Sequence, residues 1–218
     1  MTATAIIFDC DGVLVNSEAL VIDVERRFLA DLGLVYDDVE YLTRFVGTSE
    51  ADFVAALRTD HGERGRGPFP DDFLEQVRAV CSERFTTELR AVEGVEALLA
   101  SLDRPKAVAS SSTIRSLQRK LALTGLADWF GDHVYSAEHV TRGKPAPDLF
   151  LHAAGRLGVA PAECVVIEDS VHGVQAGVAA GMRVWGFTGG GHADAGLGER
   201  LAAAGAAEVF GSFRDMQV

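Results

Sequence analysis

Four short apolar runs constrain this chain more than anything else in it. Ile6-Ile7-Phe8, Ala107-Val108-Ala109, Cys164-Val165-Val166-Ile167 and Val184-Trp185-Gly186-Phe187 have no polar residue at alternate positions. A strand with one wet face alternates polar and apolar, whereas one that is apolar at consecutive positions is buried on both faces, as in a parallel sheet covered by helices. The stretches between and beyond these runs have a helical period. Residues 114–123 carry Ile114, Leu117 and Leu121 on one side, residues 148–157 form a second helix, and residues 171–180 run to a stop at Gly181. Short helices over 95–102 and 199–204 and short strands over 133–136 and 208–210 complete the series. Strands alternating with helices of this length predict βαβ units. The expected class is α/β, a Rossmann-like parallel sheet flanked by helices.

Residues 17–90 interrupt that alternation. From Ser17, the expected N-cap, Leu20, Val24, Phe28 and Leu32 recur every fourth residue until Gly33 closes the helix. Helices are predicted over 37–45 and 49–57, divided by Gly47, and a Gly- and Pro-rich loop over 59–70. A further helix over 71–89 has Phe73, Val77, Val80 and Phe85 as its apolar face. The chain is therefore expected to divide into an α/β core of residues 1–16 and 91–218 and a small all-helical insertion of residues 17–90.

The strand ends carry the chemistry. Asp9 and Asp11 follow the first strand two residues apart, so both can point to one side. Two carboxylates held together repel unless a cation or proton lies between them. Ser110 follows the strand at 106–109, and Glu168-Asp169 follow Ile167. Ligands of open α/β sheets bind outside the carboxyl ends of the strands, so a parallel sheet gathers these groups on one edge, with Lys144 in a loop beside them. Several carboxylates without a His/Cys cluster suit Mg2+ rather than zinc. One carboxylate can attack phosphorus and its neighbour can transfer protons, while a hydroxyl and an ammonium steady the phosphoryl oxygens.

Composition narrows the partners. The 218 residues include 48% hydrophobic and 24% charged residues, and the formal net charge of −12 argues against nucleic acid, whose phosphates demand clustered Lys and Arg. A small phosphorylated substrate needs only a metal and one or two local cations. Cys10, Cys81 and Cys164 are scattered and form no CxxC pair, which fits reduced thiols in the cytoplasm. Met1 leads directly into the first strand, so no signal peptide is expected, and no apolar run approaches the ~18 residues of a membrane span. The expected state is a monomer or a weak homodimer.

Asp9-Cys10-Asp11-Gly12-Val13, Ser110, Gly143-Lys144-Pro145-Ala146-Pro147-Asp148 and Glu168-Asp169-Ser170, in that order, resemble the haloacid dehalogenase superfamily. The insertion after the first motif resembles its C1-type helical cap, and within the superfamily the chain is similar to the β-phosphoglucomutase/phosphatase branch. The resemblance implies that Asp9 is nucleophile and metal ligand, and that Asp11 is general acid/base and also offers its main-chain carbonyl to the metal. Ser110 and Lys144 would bind the phosphoryl group, and Asp169 with Glu168 would complete a Mg2+ shell. Ser111, with Glu18, Arg44 and Gly47 of the cap, are candidates for binding substrate.

The implied activity is a magnesium-dependent phosphatase acting on a small sugar or sugar-acid phosphate through an aspartyl-phosphate. The alternatives are a sugar phosphomutase and, lower, a non-catalytic phospho-metabolite-binding regulator. Val21 and Glu50 stand where the mutase has a histidine and a phosphate-binding arginine, and the intact Asp9 argues against the regulator. Asp11 and Glu168-Asp169 argue against a metal-free dehalogenase. Cys10 is expected to fill the core and His172 to be an exposed polar residue. Arg64 and Arg66 are expected in solvent, and Gly189-Gly190-Gly191-His192 as a flexible surface loop.

Overall fold

A computed structural model of the chain describes residues 3–46, 50–65 and 67–216. Its core is one sheet of six parallel strands: β1 (Ala5–Phe8), β2 (Lys106–Ser110), β3 (Val134–Ser136), β4 (Cys164–Glu168), β5 (Arg183–Phe187) and β6 (Glu208–Phe210). The strand order β3-β2-β1-β4-β5-β6 reverses direction at β1. That reversal opens a crevice at the carboxyl end of β1, where open α/β sheets hold their ligands.

The unbroken apolar runs separate into two layers, as period-2 geometry requires. Ile6, Phe8, Val108, Ile167 and Phe187 face one way, toward Leu99 of α5 (Val95–Ser101) and Leu117 and Leu121 of α6 (Ile114–Leu123). Ala5, Ile7, Ala109, Val166 and Val184 face the other way. They meet Phe150 and Ala153 of α7 (Asp148–Leu157), Val174 of α8 (Val171–Ala179) and Leu201 of α9 (Leu197–Ala204). The expected α/β sheet core is what the chain folds into.

Between β1 and α5 the chain builds α1 (Ser17–Asp31), α2 (Asp38–Phe45), α3 (Glu50–Glu63) and α4 (Phe73–Glu88), which pack around a core of their own. Rings dominate it, with Tyr36–Phe45, Phe45–Phe53 and Phe69–Phe73 centroids 5.0, 5.3 and 5.1 Å apart. Where a loop over 59–70 is expected, α3 continues to Glu63. Phe53, Leu57 and His61 lie on one buried face, and His61 meets the ring of Phe69, so burial outweighs the helix cost of Gly62. Both chain crossings between these helices and the sheet are tied together. Asn16 donates its amide to the Arg90 carbonyl at 3.0 Å, and Val92 donates to the Leu14 carbonyl at 2.9 Å.

The cap also holds a half-buried acid. The Tyr41 hydroxyl donates to Glu25 at 2.5 Å, but burial outweighs that bond and pushes the Glu25 carboxyl from 4.5 up to about 7. The folded chain thus holds this proton more tightly than the unfolded chain does. The group's contribution to stability is full below 4.5 and is lost as pH rises through about 7. Glu25→Gln keeps an acceptor for Tyr41 and removes that loss. The variant is expected to be more stable than the parent at pH 8 by on the order of 1–2 kcal/mol, and level with it near pH 4.5. Urea unfolding at the two pH values tests this.

Candidate active site

The crevice at the end of β1 assembles six of the residues singled out from the sequence. Asp9 continues the sheet, donating its amide to the Ile167 carbonyl at 2.9 Å, which brings it beside Glu168 and Asp169 at the end of β4. Lys144, just ahead of α7, reaches in from the other layer. Its ammonium lies 2.5 Å from a carboxylate oxygen of Asp9 and 2.5 Å from one of Glu168, all three side chains being buried. Ser110 at the end of β2 donates to Asp11 at 3.3 Å.

After Asp9 the chain turns sharply. Gly12 has φ +78°, and a Cβ there would land on the Asp169 carboxylate, so both conformation and space demand glycine. Gly173 at the start of α8 is constrained by space alone, since a Cβ would overlap the Glu168 carboxylate. Glu168 is held on both oxygens. One takes Lys144, and the other accepts from the Ser170 amide and hydroxyl, each at 2.9 Å. With these partners it anchors Lys144.

Asp11 is held differently from Asp9. Its carboxylate accepts from Ser17, from Lys120, and from Ser112 at 2.9 Å, while Lys120 also donates to Ser112 at 2.9 Å. Burial opposes a charge on Asp11, but Lys120 and the hydroxyls outweigh it and bring the carboxyl down to about 2. For Asp9, burial prevails over Lys144, helped by Glu168 and Asp11, and pushes the carboxyl up to about 7. Burial, then the charges of Glu168 and Asp9, hold Asp169 well above the carboxylate range. Burial works against the Lys144 ammonium, yet Asp9 and Glu168 hold it well above the ordinary lysine value.

Among the described residues no three carboxyl, imidazole or thiol groups form a ready-made metal cage, and Lys144 stands between Asp9 and Glu168. The donor set still suits a hard divalent cation. Asp169 is a buried carboxyl driven toward protonation by its acidic neighbours, and added positive charge beside Asp9 and Asp169 would relieve exactly that field.

The substrate-binding candidates are arranged less uniformly. Glu18 is half-buried next to Ser17, and burial, then the Asp11 charge, pushes its carboxyl up to about 7. Ser111 is exposed; the neighbouring Ser112 is the serine that bonds Asp11. Arg44 is not brought to the crevice, since it is exposed, pairs with Asp60 at 2.6 Å and lies over the Tyr36 and Phe45 rings. Gly47 lies outside the described residues, as does Arg66.

Four neighbours of the site escape the sequence reading. Lys120 is buried on α6 between Leu117 and Leu121, and a lysine at that spacing on an apolar face was the available signal. Ser17 is the first residue of α1, with Asn16 as the N-cap position, and its hydroxyl goes to Asp11. The cap of α6 is Thr113, which leaves Ser112 for the site. His192 is buried where a flexible surface loop was expected, with its Nε2 3.2 Å from Asp169. The turn from Gly189 to Gly191 folds the ring in, and the Gly191 amide donates to the Asn16 side chain at 3.1 Å. His172 and Cys10 are respectively exposed and buried, as expected.

Comparison with known proteins follows this geometry. Residues 3–181 match the model of the haloacid dehalogenase-like hydrolases. The chain is 32% identical over 184 residues to the 6-phosphogluconate phosphatase of Escherichia coli K12, covering 84% of this chain and 81% of that protein. It is 33% identical over 178 residues to the fructose-1-phosphate phosphatase YqaB of the same organism, covering 81% and 92%. Among solved structures, a haloacid dehalogenase-like protein from Agrobacterium tumefaciens superposes with a TM-score of 0.90 at 36% identity, covering 98% of this chain and 95% of that one.

Proposed function

The chain belongs to the haloacid dehalogenase-like hydrolases, and from that premise we propose that it is a magnesium-dependent phosphatase of a small phosphorylated metabolite, a sugar or sugar-acid phosphate. The observation that carries the reading is the buried Asp9 at the strand-order reversal, gripped by Lys144, with a second aspartate two residues on.

In this reading an oxygen of Asp9 attacks phosphorus and the bond from phosphorus to the ester oxygen breaks. The departing oxygen takes a proton from Asp11. Water then attacks the aspartyl-phosphate, gives its proton back to Asp11 and releases inorganic phosphate and the Asp9 carboxylate. Lys144 and Ser110 steady the phosphoryl oxygens, and Glu168 keeps Lys144 in place. Asp11 rests as an ionised acceptor on Lys120, so it serves as an acid only after it leaves that partner and takes up a proton from solvent; the proton that water later returns keeps it loaded for the next turnover. One of its holders, Ser17, opens the first cap helix, so movement of the cap moves a hydroxyl that bonds Asp11.

Asp9, Asp169 and the main-chain carbonyl of Asp11 would hold Mg2+, whose charge would keep Asp9 ionised and offset the phosphoryl oxygens. Glu168 is assigned to Lys144 rather than to the metal, because its oxygens are already engaged. A phosphomutase must also grip a second phosphate, yet Glu50 is taken up by Arg78 at 2.6 Å, which favours hydrolysis. The cytoplasm is the compartment that suits this reading, given three buried free cysteines. No helix among the described residues is long and apolar enough to cross a membrane.

Purified protein with Mg2+ is expected to release inorganic phosphate from sugar phosphates and from p-nitrophenyl phosphate, and EDTA is expected to abolish that release until Mg2+ is restored. Activity indifferent to EDTA would remove the metal from the scheme. Transfer of phosphate within a sugar without net release would replace hydrolysis by mutase chemistry.

A further inference from the structure

The acids of the crevice are not held alike. Asp9 has Lys144, Glu168 has Lys144 and Ser170, and Asp11 has Lys120, Ser17 and Ser112. Asp169, which would hold Mg2+ beside Asp9, has none of these donors. Among the described residues the group that reaches its carboxyl is the imidazole of His192, whose Nε2 lies 3.2 Å from Oδ2.

The backbone is built to bring that ring in. His192 is only 8% exposed and follows three glycines. A Cβ on Gly12 would stand 1.8 Å from Oδ2 of Asp169 and 2.5 Å from Cε1 of the ring. A Cβ on Gly190 would stand 2.5 Å from the Gly12 carbonyl oxygen and 3.0 Å from the ring. Two glycines on facing segments thus leave the room in which imidazole and carboxylate meet. The segment is pinned on either side of the ring. The Gly191 amide donates to the Asn16 side chain at 3.1 Å, and the Ala193 amide to the Gly190 carbonyl at 3.1 Å.

Packing alone does not account for a histidine in this place. Its Nδ1 is buried without a partner among the described residues, a cost that leucine in the same space would avoid. A carboxylate only accepts, so Nε2 carries the ring's proton toward Asp169, and Nδ1, with no acceptor beside it, is the bare nitrogen. Such a neutral donor also suits a metal ligand better than a lysine would, because it supports the carboxylate without adding a positive charge that repels the cation.

We propose that His192 is a positioning residue of the metal site: its Nε2–H holds Oδ2 of Asp169 and leaves Oδ1 turned to Mg2+. This rests on the reading of Asp169 as a Mg2+ ligand of a phosphatase and adds what orients it. Partners that orient a metal ligand in this way typically cost about 10–100-fold in metal affinity or activity when removed.

Calorimetric titration of Mg2+ into the full-length protein, stripped with EDTA and free of substrate, tests the role. His192→Leu keeps bulk and removes the donor, and is expected to weaken Mg2+ binding by about 10–100-fold. His192→Gln returns an N–H donor and is expected to recover most of that loss. If the ring merely fills space, His192→Leu binds Mg2+ like the parent, which overturns the proposal. So does a His192→Gln protein that binds no better than His192→Leu. The unmutated protein supplies a second measurement, independent of whether the variants fold. Nitrogen NMR of the Mg2+-loaded state is expected to show the Nε2–H tautomer of His192, and the Nδ1–H tautomer overturns the proposal. Phosphate release from p-nitrophenyl phosphate keeps the two readings apart. A parent protein that binds Mg2+, with the expected order of variants, yet hydrolyses no ester loses the phosphatase reading and keeps the role of His192. One that hydrolyses the ester but binds no Mg2+ keeps the phosphatase and loses that role.

Discussion

Asp9→Asn is expected to lower kcat for any phosphate ester by on the order of 10⁴-fold or more, because the amide cannot attack phosphorus. The fold should survive the change. The amide matches the carboxylate in shape and removes a charge that burial already disfavours, since the Asp9 carboxyl is pushed up to about 7. Lys144 keeps its second partner, Glu168. The thermal midpoint is therefore expected to move by only a few degrees, as a change of about 1 kcal/mol would produce. Phosphate release and circular dichroism melting on one preparation check both halves. A folded Asp9→Asn enzyme retaining a tenth of the parent rate would move the nucleophile elsewhere.

Lys144→Met is expected to damage stability as well as turnover. It leaves the buried carboxyls of Asp9 and Glu168 facing each other without the ammonium that both contact. Removing one partner from a buried ionic cluster costs about 3–5 kcal/mol, far more than such a cluster contributes when intact. The urea midpoint at pH 8 should fall accordingly, with activity below detection. Combining Lys144→Met with Glu168→Gln should recover part of the lost stability and none of the activity, because one stranded charge goes while the phosphoryl contact stays missing. A Lys144→Met chain that melts with the parent would mean that these acids are not held as buried charges.

The sheet was legible because its strands are apolar at consecutive positions, a pattern few other environments accept. Asp9, Asp11, Ser110, Lys144, Glu168 and Asp169 could be drawn together from sequence because parallel topology sends every strand's carboxyl end to one edge. What escaped was set by packing. Lys120 looks like a surface lysine until Leu117 and Leu121, on the same face of α6, are seen to be buried beside it. His192 follows three glycines, a composition that reads as a loose loop, yet those glycines let the chain approach Gly12 and turn the ring onto Asp169. Thr59 to Glu63 carry a glycine and polar residues, and only the contact of His61 with Phe69 explains why the helix continues through them. Arg44 had the right chemistry for a phosphate, but Asp60 and two aromatic rings of the cap engage it first.

The central place of β1 in the sheet has a consequence for how the chain acquires its structure. Phe8 pairs with Val108 on one side and Ile167 on the other, so β1 is flanked on both sides only after 159 further residues have been made. Parallel pairings between such distant segments form slowly, because loop closure must precede any gain from contact. The helices that follow β1 can gather around their aromatic core while the strand still waits. Until β4 arrives, Asp9 has neither the Ile167 carbonyl for its amide nor Glu168 across from its lysine. Catalytic competence should therefore appear late and abruptly in refolding, well after most helical signal has returned.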